Sequence, residues 1–87
     1  MPEISRFYGI VIRMYLRGEH PPPHFHVQYG EHRASLRIDN LEAIEGDLPA
    51  RAAKLVREWA ALHRQELRDN WSRAGAHEAL LPIEPLT

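Results

Sequence analysis

Hydrophobic and polar positions change their spacing more than once along this chain of 87 residues. In residues 24–38, Phe25, Val27 and Tyr29 are interleaved with His24, His26 and Gln28. After Gly30 and Glu31 the alternation resumes, with Ala34, Leu36 and Ile38 set against Arg33, Ser35 and Arg37. Period-two alternation on both sides of a Gly-containing break predicts a β-hairpin with one buried face. A type II′ turn suits Gly30 and Glu31, because glycine accepts positive φ at the first turn position. In that register Tyr29 faces His32, Val27 faces Ala34 and Phe25 faces Leu36. His26 then lies opposite Ser35, and His24 opposite Arg37.

Residues 7–15 are dense in β-branched and aromatic side chains and predict a further strand. It would carry Tyr8, Ile10, Ile12 and Met14 on one side and Phe7, Val11, Arg13 and Tyr15 on the other. Residues 1–6 read as a lead-in. Residues 16–23 read as a loop, since Pro21, Pro22 and Pro23 remove three N–H donors and cannot lie in an interior strand. Residues 40–46 read as a connector. Asp47 then offers an N-cap and Pro49 falls in the first helical turn. From there to about residue 74 the apolar spacing becomes i, i+3, i+4: Ala52, Leu55, Val56, Trp59, Leu62, His63, Glu66, Leu67 and Trp71 share one stripe. Lys54, Arg57, Arg64 and Arg68 lie opposite, and Gly75 is placed to stop the helix. Residues 80–87 hold two prolines and read as an extended tail. The expected architecture is a single α+β domain over residues 1–87. It is a three-stranded antiparallel sheet (β-β-β-α) with one long amphipathic helix on its apolar face and an extended C-terminal tail.

Composition narrows the functional classes. A formal net charge of -1 gives no global attraction to nucleic acid, so electrostatic binding must come from a local patch. The absence of cysteine excludes disulfides, thiolate metal sites and cysteine nucleophiles. The first residues lack a charged lead-in followed by an apolar run, so no signal peptide is expected. No stretch reaches the roughly 20 apolar residues of a membrane span. A cytoplasmic protein without a cofactor is the expectation.

The chemistry concentrates on the outward face of the hairpin. His24 and His26 are two apart on a strand and share a side, which makes them candidate general acid/base groups. Arg33 and Arg37, with Arg13 from the preceding strand, are candidate phosphate contacts. Solvated polar residues that keep an exposed strand soluble would look the same. A weaker alternative is a metal site on His20, His24 and His26; Gly18, His24, His26 and Glu31 even share the spacing of the first cupin motif, but no second motif follows. On the helix, His63 and Glu66 sit within the apolar stripe between Trp59 and Trp71. They predict either a bonded pair that locks the helix or the lining of a cleft.

The opening P-E-I-S-R-F-Y-G-I-V-I-R-M-Y, the P-P-H-F-H-V-Q-Y-G block, the E-W-A-A-L-H-R-Q-E-L-R-D-N-W run and the closing I-E-P-L resemble the bacterial domain-of-unknown-function family numbered 4160. The resemblance implies a small cytoplasmic protein, commonly encoded beside another small protein in an arrangement similar to a toxin–antitoxin module. It marks His24, Phe25 and His26, and Trp59, His63, Glu66 and Trp71, without assigning chemistry to them. The resulting expectation is a component of such a two-gene module that acts on RNA through the His/Arg sheet face. Its alternative is a non-enzymatic module that binds a protein encoded nearby, or a second copy of itself, through a sheet edge or the helix.

Overall fold

The computed structural model describes residues 2–15 and 20–87. Gly18 and the first part of the predicted loop lie outside them. Five strands, β1 (Glu3–Phe7), β2 (Ile10–Arg13), β3 (His24–Tyr29), β4 (His32–Arg37) and β5 (Ala43–Gly46), precede two helices, α1 (Ala50–Leu62) and α2 (Arg64–Gly75). The strands form one antiparallel sheet in chain order, β1-β2-β3-β4-β5.

This corrects the expected three-stranded sheet with one long helix in three places. The run 7–15 is not one strand, because Tyr8 and Gly9 both adopt positive φ, 49° and 80°, and fold it into a two-residue hairpin. That is the backbone pattern of a type I′ turn. Its first arm, β1, takes in residues 3–6 of the expected lead-in together with Phe7, and Phe7 moves to the core side while Tyr8 projects from the turn. The connector contains β5, whose pairing with β4 is irregular between Ser35 and Leu36 and so carries no clean alternation. The helical run is interrupted at His63 (φ -120°, ψ 24°), where one N–H is shared between the carbonyls of Trp59 (3.1 Å) and Ala60 (3.2 Å). Leu62, expected in the apolar stripe, is 73% exposed at the end of α1.

The helix ends also differ from expectation. Pro49 occupies the N-cap position of α1, with no side-chain cap. The left-handed residue after α2 is His77 (φ 58°), not Gly75. The Glu78 N–H donates to the Arg73 carbonyl at 2.8 Å and the His77 N–H to the Ala74 carbonyl at 3.1 Å. That pair of bonds closes the helix as a Schellman motif.

The β3–β4 register is the one the hairpin pattern predicts, from Tyr29 opposite His32 to His24 opposite Arg37. Ile10, Ile12, Phe25, Val27 and Leu36 are buried on one face of the sheet. Ala52, Val56, Trp59 and Ala60 of α1 and Leu67 of α2 complete the same core. Trp59 is fully buried, 5.4 Å from Phe7 and 6.1 Å from Phe25 between ring centroids. Burial of one such ring contributes roughly 3 kcal/mol.

The tail is pinned. The Ile83 N–H donates to the Ile4 carbonyl at 2.8 Å, and Trp59 Nε1 donates to the Glu84 carbonyl at 2.8 Å. The edge of β1 is thereby covered by the chain's own end. Two of the four cations expected opposite the apolar stripe are likewise structural. Arg57 Nε donates to the Leu41 carbonyl (3.1 Å) and Arg64 Nε to the Ile38 carbonyl (3.0 Å), which ties both helices to the β4–β5 connection.

Candidate nucleic-acid interface

The face of the sheet turned away from the helices carries one in-register row across all five strands. Glu3 pairs with Arg13, Arg13 with His26, His26 with Ser35, and Ser35 with Glu45. Alternation puts directly opposed residues on the same side of a sheet, so each strand contributes one polar side chain to this line. Flanking rows hold Gln28 opposite Arg33, and His24 opposite Arg37.

Within the row, the Ser35 hydroxyl lies 3.1 Å from His26 Nδ1. The His26 ring stands edge-on to Tyr15 at 4.9 Å and to His24 at 5.2 Å between centroids. His24 in turn packs on Trp71 of α2 at 5.1 Å. Its Nδ1 is 2.8 Å from the Pro22 carbonyl. A carbonyl oxygen can only accept, so His24 Nδ1 carries the hydrogen and, in the neutral ring, Nε2 carries the lone pair. A neutral imidazole in this tautomer accepts a proton at Nε2.

The three arginines differ in how far they are engaged. Arg13 donates to Gln28 Oε1 at 2.6 Å. Arg37 grips both Asp39 oxygens, at 2.9 and 2.8 Å, and this raises the Arg37 pKa and lowers that of Asp39. Arg33 is exposed and its guanidinium has no hydrogen-bond or ion-pair partner among the described residues. At the far edge, Arg6 binds Glu3 through two bonds (3.0 and 2.7 Å), which holds the Glu3 carboxyl below its usual range.

Two shallow basins lie on this face. One, of about 420 Å³, is lined by Arg13, Tyr15, Gln28 and Arg33 among others. The other, of about 530 Å³, is lined by His20, Pro21, Pro22, His24 and Ile44. His26, Ser35 and Glu45 line both, so the centre of the polar row forms the boundary between them.

The structure thus brings together His24, His26, Arg13, Arg33 and Arg37, the residues expected to act on one face. It separates the second group. Phe25 and Trp59 are core, not cleft. His63 Nδ1 and Glu66 Oε1 are 2.6 Å apart at the helix interruption, and neither residue lines either basin. Only Trp71 of that group touches the face, through His24. Among the described residues no group of three metal-ligating side chains is placed to hold an ion, and Glu31 lies in the exposed turn between β3 and β4. Glu45 was missed, because its bulged strand has no alternation to announce it. Ser35 was legible only as the partner of His26.

A five-stranded antiparallel meander, covered by two helices on one side and bearing polar basins on the other, defines a two-layer α+β domain with an open sheet face. Residues 9–72, well over half of the chain, match the family described as a domain of unknown function (DUF4160), and the chain belongs to that family. The matched region holds Arg13, His26, Ser35 and Glu45 of the row. No curated protein and no solved structure matches the chain. Among the described residues no helix is long and apolar enough to cross a membrane.

Proposed function

We propose that this protein is the RNA-contacting component of a toxin–antitoxin-like two-gene module and works through the open sheet face. The observation that carries the reading is the convergence of Arg13, Arg33, His24 and His26 around two basins on the face the helices leave uncovered. Guanidiniums bind phosphate oxygens, and paired imidazoles move protons. In the enzymatic version, His24 Nε2 takes the proton of a ribose 2′-hydroxyl as that oxygen bonds to the adjacent phosphorus. The P–O5′ bond breaks, and protonated His26 gives its proton to the departing O5′. The products are a 2′,3′-cyclic phosphate and a 5′-hydroxyl. The two-gene setting is what the family resemblance implies.

Expression from an inducible promoter should arrest growth, and His24→Ala or His26→Ala should relieve the arrest. Growth that is indifferent to the wild-type protein, together with no shift of a labelled RNA in a gel, would remove the proposal.

The non-enzymatic reading is favoured by β5. All four of its residues are exposed and, among the described residues, no strand pairs with its outer edge, whereas the β1 edge is closed by the tail. A partner strand added there would extend the sheet. Co-expression with the neighbouring gene would then give a complex stable to gel filtration without any effect on growth.

A further inference from the structure

The two basins are lined by different chemistry, and that difference bears on what the face holds. The first has Arg13, Arg33 and Gln28, all donors, and suits a phosphate. The second has no arginine or lysine among its described lining residues; Pro21, Pro22 and Ile44 give it apolar surface beside the flat ring of His24. His24 is itself backed by Trp71. Such a surface suits a planar heterocycle. Both volumes fall in the range of roughly 300–1,000 Å³ usual for small-ligand sites.

Glu45 is the discordant member. It lines both basins, it repels phosphate, and its carboxylate has no hydrogen-bond or ion-pair partner among the described residues. A carboxylate only accepts. Of the four RNA bases, guanine alone presents two adjacent donors, N1–H and the N2 amino group, on its Watson–Crick edge. Two carboxylate oxygens accept both at once. That edge is available only when the base is unpaired.

Resting on the reading above, we infer that the face takes single-stranded RNA with a guanine in the proline–histidine basin. The Watson–Crick edge of that guanine meets Glu45, and a neighbouring phosphate lies between Arg13 and Arg33. The chain of the ligand then crosses the row at His26, whose ring is 5.2 Å from that of His24, so that it passes the two imidazoles of the proposed proton transfers.

The test is fluorescence anisotropy with a labelled uridine heptamer whose central base is guanine, inosine, adenine or cytosine. A bidentate base contact discriminates by about 1–3 kcal/mol, so the guanine strand should bind roughly fivefold or more tighter than the adenine and cytosine strands. Inosine, which lacks the N2 amino group, should fall between. Glu45→Gln should abolish the guanine preference while leaving the adenine strand bound as well or better, since a repulsive charge is gone. Glu45 is exposed on β5, so the variant should keep the wild-type circular dichroism spectrum. Equal binding of all four strands, with no selective effect of Glu45→Gln, would overturn the guanine inference and leave the RNA reading standing. Binding of none of the strands would overturn both. Guanosine monophosphate binding as tightly as the heptamer would overturn the claim that the ligand is a strand.

Discussion

A Cβ added to Gly46 would lie 2.0 Å from the carbonyl oxygen of Arg33, and Gly46 itself has φ +69°. Only glycine lets the end of β5 approach β4 this closely, and the approach holds Glu45 opposite Ser35. Gly46→Ala should therefore cost about 2 kcal/mol or more, from left-handed strain and from the displaced backbone. Gly30→Ala should cost only about 1 kcal/mol, because a Cβ there meets nothing within 4 Å. Urea denaturation midpoints at constant m-value would measure both. Equal losses at the two positions would contradict the close approach.

The arginines should separate by how they are held. Arg13→Ala and Arg33→Ala should each weaken RNA binding uniformly across sequences and reduce the salt dependence by about 0.7 in the log–log slope, as expected for one phosphate contact on a single strand. Arg37→Ala should change the slope less, because its guanidinium is already committed to Asp39. Asp39→Asn should do the reverse, raising both affinity and slope. Binding titrations at several salt concentrations would check this, and an Arg37 slope as large as that of Arg33 would count against it.

What the sequence made legible follows from how local each signal is. The β3–β4 hairpin and its register were readable because alternation on both arms and a glycine turn agree over residues 24–37. The β1–β2 hairpin was hidden because its turn, Tyr8 and Gly9, sits inside a run of apolar residues, and one tyrosine at positive φ looks like any strand residue. The interruption at His63 leaves the apolar stripe nearly in phase, so periodicity reads straight through it. On the face, His24, His26, Arg33 and Arg37 came from one hairpin and were visible together. Glu45 comes from a four-residue strand with an irregular pairing, and its place in the row is a tertiary fact.

The ion pairs on this face set an acid limb whose sign is fixed. Asp39 is held below its usual value of 3.8, first by the side-chain bond from Arg37. A carboxyl with a lowered folded-state pKa stabilises the fold above its unfolded value and ceases to do so as pH falls through the folded one. Loss is therefore expected below pH 3.8, not near neutrality. Carbon-detected titration should place the Asp39 midpoint below that value, and Arg37→Ala should raise it. A midpoint unchanged by that substitution would show that Arg37 is not the cause.

Asn70 controls the opposite edge of the sheet. Its side chain is 1% exposed; Oδ1 accepts from the Leu81 N–H and Nδ2 donates to the Leu81 carbonyl, both at 2.9 Å. The amide thus satisfies both backbone groups of one tail residue and fixes the tail two residues before Ile83 bonds to β1. Asn70→Leu keeps the number and branching of the side-chain heavy atoms but leaves that donor and acceptor unmatched, at a cost of about 2 kcal/mol. The consequence reaches beyond stability. With the tail detached, β1 becomes a bare edge strand, and bare edges pair between molecules. Asn70→Leu should therefore exchange the Leu81 and Ile83 amides faster than wild type and should aggregate at concentrations where wild type remains dispersed. RNA binding should be unchanged, because neither Asn70 nor the tail lines the basins. Hydrogen exchange and light scattering would measure the first two effects. A variant that unfolds at a lower midpoint yet keeps wild-type exchange at Ile83 would show that Asn70 stabilises the core without holding the tail on the sheet.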